Sequence, residues 1–158
     1  MDPRAWWAEI IGDANKRGIA DIFTGQVLHQ EFEIDHFLPW SFVTHDEFWN
    51  LCPVLKGVNR NKSDHLPALD LYLPRLAALH AGILAHVRLP RALANAYAQF
   101  LGVEADGLAH VTPGVVEDRY QKLVRPLAQI AADQGFPTNW RNPSDIRAPE
   151  EFAAEGGG

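Results

Sequence analysis

The sequence predicts an α+β chain, mainly helical, with two short strands and a helix start placed early and a long helical half behind them. Three observations predict it. Residues 31–37 alternate, with Phe32 and Ile34 on one side and Glu33 and Asp35 on the other, the period of a half-buried strand. Residues 49–54 form a second short strand, at an edge or ending early because of Pro53, and Gly57 and Asn59 then offer a turn and a helix cap. Later in the chain the apolar residues recur at helical spacing instead.

In order, Asp2 caps and Pro3 opens a first helix to about Lys16, with Arg17-Gly18 as its stop. Trp6 and Ile10, joined by Trp7 and Ala14, form its buried stripe. Residues 20–28 read as a short hairpin around Thr24-Gly25. Past Asn59 a short helix is interrupted at Pro67 and again at Pro74, since proline lacks the amide an interior turn requires. Over residues 74–87, Leu76, Leu79, Ile83 and Val87 keep helical spacing. Pro90 opens the next helix and Gly102 closes it. Thr112-Pro113 begins the last, with Val116, Tyr120, Leu123, Leu127 and Ile130 on one face and Gly135 at its end. Beyond Phe136 the chain is rich in Pro, Asn and Gly and reads as irregular or disordered. Three segments result: 1–66, a core holding residues 31–62 and the first helix; 67–135, a helical extension packed on it; and 136–158, the tail.

A chain of 158 residues suits one compact domain with appendages. No apolar run approaches the ~20 residues needed to span a bilayer, and the N-terminal MDPRAWW is no signal peptide. A cytoplasmic protein without membrane partners is expected. The single cysteine, Cys52, excludes an intrachain disulfide and fits a reducing compartment. The net charge of −6 suits a phosphate-binding protein poorly. Its distribution softens this: Lys56, Arg60 and Lys62 share residues 56–62 with no acid, and most of the acidic excess lies downstream of Gly102. Tight nucleic-acid binding would then draw on another domain or subunit.

Four polar groups recur at fixed intervals: Asp35 and His36 are adjacent, Asn50 is fifteen residues past Asp35, and Asn59 is nine past Asn50. Strand, loop, strand and helix start bring them together as a carboxylate, an imidazole and two amides. At these residues the chain resembles the HNH nucleases of the ββα-metal (His-Me finger) class. Asp35-His36-Phe37-Leu38-Pro39-Trp40-Ser41, Asn50-Leu51 and Asn59-Arg60-Asn61-Lys62 follow that family's D-H-x-x-P-x-S, N-L and N-x-x-K. The spacing is most similar to the HNH domains of RNA-guided CRISPR nucleases and related defence-type endonucleases. The resemblance covers residues 23–66.

What it implies is a ββα-metal core with an N-terminal helix and a C-terminal helical extension, cutting phosphodiester bonds in DNA to leave 3′-hydroxyl and 5′-phosphate ends. Asp35 and Asn59 would hold Mg²⁺ or Mn²⁺, a hard cation content with few protein oxygens. His36 would be the general base, with an ordinary pKa of ~6.5, and Asn50 would orient its imidazole. Lys62, Arg60 and Lys56 would meet the phosphate. Many HNH proteins carry two Cys-x-x-Cys knuckles around zinc, but here Ile22-Phe23-Thr24-Gly25 stands at the first. No structural zinc is expected, and apolar packing must hold the motif. Plainer readings compete: Asn59 as a cap only, Lys62 as a solvated charge, His45 and His65 as structural, Ser41 as a turn hydroxyl, Trp40 and Trp49 as lids over the hairpin. Open alternatives are a non-catalytic nucleic-acid or protein-binding module, an RNase, and the nuclease domain of a larger defence or restriction protein.

Overall fold

Asp2 caps the first helix through Oδ1, which accepts the Arg4 amide at 3.0 Å and satisfies one of the N–H groups a helix start leaves over. The computed structural model of the chain describes residues 2–13 and 18–147. Helix α1, Pro3–Asp13, buries Trp6, Trp7, Ile10 and Ile11. Ala14 and the expected stop at Lys16 and Arg17 lie outside the described residues. The expected hairpin contracts to a tight turn closed by one antiparallel bridge, Ala20 to Val27. Gly25 sits in that turn at φ +78°, and a Cβ there would come within 2.8 Å of the Arg147 side chain. Glycine alone meets both demands.

Strand β1, Glu33–His36, pairs antiparallel with β2, Leu51–Val54, setting Asp35 opposite Cys52 and Ile34 opposite Pro53. Both strands are shorter than the alternation predicts. Trp49 and Asn50 belong to a 3-10 turn, Phe48–Asn50, that leads into β2. Pro53 is tolerated because a two-stranded sheet leaves each strand an outer edge. A four-residue helix, α2 (Trp40–Val43), lies between the strands. Helix α3, Val58–Lys62, follows β2 and starts from Gly57 at φ +88°. That corrects one expectation: Gly57 is the cap, and Asn59 stands inside α3 with its side chain available for other work.

The helical half comprises α4 (Leu69–His86), α5 (Arg91–Leu101) and α6 (Pro113–Asp133). Pro74 does not interrupt α4, contrary to expectation. The carbonyl it deprives of a donor is that of Asp70, an exposed residue of the first turn, where the loss is least expensive. Thr112 caps α6 by accepting the Val115 amide, and Gly135 closes it at φ +100° with the Phe136 amide bonded back to Ala131. The buried stripe of α6 is Val116, Tyr120, Val124, Ala128 and Ala131. Ile130, expected on that face, is 48 % exposed. The stripe drifts around the helix because 3.6 residues per turn is not a whole number.

One apolar cluster joins Phe23, Phe37, Cys52 and Val54 of the strand region to Leu73, Leu76, Tyr120 and Val124 of the helices. A second joins α1 to Ile83, Leu93 and Tyr97. His80 is buried against members of both, its ring beside Trp7, Phe48, Tyr97 and Tyr120. Its Nε2 donates to the Leu51 carbonyl at 3.0 Å, so Nδ1 accepts from the Tyr97 hydroxyl at 2.6 Å. Burial pushes its pKa down to about 4, and the ring is a neutral core group that links β2 to α4 and α5.

Residues 136–147 are irregular in backbone, as composition predicts, yet they are firmly packed. Trp140 exchanges backbone bonds with Leu66 and Ala68 and lies 5.1 Å from the Phe23 ring. Arg75 bonds Asp145 at 2.7 Å, and Arg147 donates to the Asp21 and Ile22 carbonyls. This strap braces the turn beside β1. Residues 148–158 of the expected tail lie outside the described residues.

Candidate active site

Asp35 and His36 end β1, so successive side chains leave opposite faces of the strand. Asp35 turns inward and is 1 % exposed, while the His36 side chain keeps 23 % of its surface in solvent. A carboxylate so deep needs a partner, and Lys62 from α3 supplies it. Lys62 Nζ lies 3.4 Å from Asp35 Oδ1, 3.2 Å from Oδ2 and 2.7 Å from the His36 carbonyl. Only the Oδ1 contact has hydrogen-bond geometry, and Oδ2 stays buried with no hydrogen bond. Burial raises the Asp35 pKa to about 6, against the opposing pull of Lys62 and His36.

Lys62 was expected to touch substrate phosphate. The structure corrects this, because the residue is fully buried with its ammonium spent on Asp35 and His36. Lys56 sits outside, 3.4 Å from Glu31. Arg60 is exposed on α3 and makes no hydrogen bond or ion pair among the described residues. Of the three expected phosphate contacts it is the one left unengaged and exposed.

Asn50 is also corrected. It is fully buried, its Oδ1 accepts the Leu38 amide at 2.8 Å, and its Nδ2 donates to the Leu38 carbonyl at 2.9 Å. The Phe37 amide bonds the Asn50 carbonyl at 2.8 Å as well. With both amide functions committed to Leu38, Asn50 holds the chain just past His36 and does not reach the imidazole. The Tyr120 hydroxyl of α6 donates to the Trp49 carbonyl at 2.8 Å, steadying the same turn from behind.

The imidazole has another partner. His36 Nε2 lies 2.8 Å from Oδ1 of Asp46, a loop residue that sequence reasoning did not single out. The signal was slight: an acid in a polar loop ten residues after the histidine, with no spacing to a known element. Trp40, expected as a lid, is 55 % exposed on α2. Trp49 does cover the core, stacked on Phe100 at 5.6 Å.

Asn59 lies on α3 beside β1, with Nδ2 donating to the Ile34 carbonyl at 3.4 Å. Its Oδ1 takes no hydrogen bond among the described residues. Two oxygens thus stand without hydrogen bonds, Asp35 Oδ2 and Asn59 Oδ1, on elements that touch. One carboxylate and one amide oxygen fit Mg²⁺ or Mn²⁺, which keep several waters. Among the described residues no three His, Cys, Asp or Glu cluster as a metal cage.

The turn beside β1 is tied by a carboxylate as well as by packing. Asp21 is fully buried, with Oδ1 accepting the Phe23 and Thr24 amides and Oδ2 accepting the Leu55 amide at 2.7 Å. It thereby joins the turn to the end of β2. Burial pushes its pKa up, and those three amides and Arg147 oppose the shift.

Residues 19–68 match the family model for HNH endonucleases. The match spans under half of the 158 residues and takes in the Asp21 turn, both strands, α3, and all of the groups from Asp35 to Lys62. It carries the family name and no subgroup. No curated protein and no solved structure matches the chain. No helix among the described residues is long and apolar enough to cross a membrane. The packing of α4, α6 and Trp140 against the HNH stretch lies largely outside the match.

Proposed function

We propose that the chain is a divalent-metal-dependent endonuclease that hydrolyses phosphodiester bonds in DNA, working as a nuclease module within a defence or restriction system. One observation carries the reading: a buried carboxylate with an oxygen lacking any hydrogen bond stands next to a solvent-reaching imidazole. A module that only binds has no use for that pair, since burying a carboxylate is costly even beside an ammonium. The family match and the resemblance to HNH nucleases supply the substrate class.

Asp35 Oδ2 and Asn59 Oδ1 would hold Mg²⁺ or Mn²⁺. When bound, the cation supplies Lewis-acid stabilisation for the charge on the departing 3′-oxygen. Lys62 pairs with Asp35 and fixes its carboxyl, and Asn50 holds the backbone at Leu38, just past His36. His36 has Nε2 engaged, leaving Nδ1 to take the proton of a water attacking phosphorus. The new P–O bond forms as the bond to O3′ breaks, leaving a 5′-phosphate, and O3′ gains a proton from solvent. Arg60 meets the phosphate from α3.

The test is cleavage of plasmid and single-stranded DNA and of RNA with Mg²⁺, Mn²⁺ or EDTA. Cutting of DNA with either cation, none in EDTA, and loss in Asp35→Ala support the reading. A well-folded protein that binds DNA and cuts nothing with any cation would make it a binding module, and cutting confined to RNA would make it an RNase.

A further inference from the structure

The base needs something to hold its ring, and Asn50 does not provide it. Asp46 lies on the loop between α2 and the 3-10 turn, and its one hydrogen bond among the described residues is to His36 Nε2, at 2.8 Å. A surface carboxylate, 60 % exposed, would ordinarily wander. This one is placed from both sides. Before it, Thr44 closes α2 at φ 60° and ψ 13°, with its amide bonded to the Trp40 carbonyl at 2.7 Å. The left-handed conformation is unfavourable for a β-branched residue. Strain of this kind persists where the surroundings dictate the geometry. After Asp46, the Phe48 ring is packed at 4.3 Å from Trp6 and 5.3 Å from Tyr97. The Asn50 backbone N–H donates to the Glu47 carbonyl at 2.8 Å. The adjacent acid, Glu47, has no side-chain bond among the described residues, so a specific carboxylate is delivered to the ring.

We infer that Asp46 is the positioning residue of the catalytic base: it clamps the His36 ring and keeps the proton on Nε2, leaving the Nδ1 lone pair for water. This rests on the nuclease reading above and deepens it. A carboxylate can only accept, so the shared proton belongs to the imidazole. The ring then carries a defined donor edge and a defined acceptor edge. Asp46 acts through His36 and touches neither the phosphate nor the cation.

Two measurements on the full chain test this. The first is a double-mutant cycle in single-turnover DNA cleavage. Asp46→Ala should lower the cleavage rate about 10–100-fold, the usual effect of losing a partner that orients a functional histidine. KM should stay the same or fall, because an anion leaves the neighbourhood of bound phosphate. The melting temperature should hold. On a His36→Ala background the same change should do nothing further, because the group it acts through is gone. A full 10–100-fold loss on that background would overturn the inference by giving Asp46 a direct role.

The second is the ¹⁵N shift of His36 Nε2 at pH 8.5, assigned by its disappearance in His36→Ala. In the wild type it should differ from that of His45, an exposed ring without partners among the described residues. In Asp46→Ala it should move to the His45 position. An unchanged shift would overturn the clamp. A wild type that cuts nothing would remove the nuclease reading and the catalytic half of the inference with it. The Nε2 shift would still decide whether Asp46 holds the ring.

Discussion

Asn50 offers the sharpest test of how the site is built, because orientation of the imidazole and support of the loop predict different failures. Asn50→Ala removes both bonds to Leu38 in a fully buried place. The Leu38 amide and carbonyl are then left without partners, at about 1–3 kcal/mol each. A total of roughly 2–6 kcal/mol corresponds to a drop in melting temperature of about 4–24 °C for a chain of this size. Asn50→Asp should behave differently with pH. Its ionised form keeps the acceptor for the Leu38 amide but turns a second anionic oxygen on the Leu38 carbonyl. The protonated form restores the donor. Burial and that repulsion raise the folded pKa of the new carboxyl above its unfolded value of ~3.9. The folded state then binds more protons, so the variant is close to wild type below pH ~4 and loses stability as pH rises through the raised pKa. Thermal melts of wild type and both variants at pH 4, 5.5 and 7, compared at each pH, decide the matter. If Asn50→Ala melts with the wild type and loses only activity, the amide serves the chemistry and the loop-holding role is wrong.

Other outcomes follow from the same structure. His80 has a folded pKa of about 4 against an ordinary value near 6.5. Its contribution is full above pH ~6.5 and should fade by roughly 3 kcal/mol as pH drops toward 4, a urea-midpoint trend that His80→Phe should lack. Lys62→Met strands the Asp35 carboxylate and should lower urea stability in EDTA by about 3–5 kcal/mol; wild-type stability would return Lys62 to the surface role its type suggests. Trp140→Ala should remove about 3–5 kcal/mol by opening a hole beside Phe23 and Tyr72. Trp40→Ala should change the melting temperature little, since its ring packs on no other ring among the described residues.

The sequence revealed most where function depends on neighbours along the chain. The strand that ends in Asp35-His36 and the short helix that carries Asn59 were legible because alternation and a glycine turn are local signals. Helix ends were legible where a cap has a single chemistry, as with Asp2, Thr112 and Gly135. Burial was the difficulty for Lys62, because lysine is almost never buried unless paired, and the pairing with Asp35 spans twenty-seven residues. For Asn50 the residue type was right and the partner wrong, since an amide serves a backbone peptide as readily as an imidazole. Asp46 was hidden because it meets His36 from an irregular loop, where no periodicity announces a partner. The strap from residue 136 onward looked loose because Pro, Asn and Gly dominate it. Trp140 and two arginine contacts, Arg75 with Asp145 and Arg147 with the Asp21 turn, fasten it at long range. Pro74 looked like a break because the rule for helix interiors was applied where the opposing carbonyl lies near the helix start.

The division of labour between a cation held by Asp35 and Asn59 and a base at His36 is tested most directly by single-turnover DNA cleavage against Mg²⁺ concentration, wild type beside His36→Ala. A general base contributes typically 10²–10⁴-fold. The account predicts a loss of that size in the variant, with the same half-saturating Mg²⁺, an unchanged melting temperature, and no cutting by either protein in EDTA. Cleavage by His36→Ala at near the wild-type rate, or cleavage by the wild type in EDTA, would contradict it.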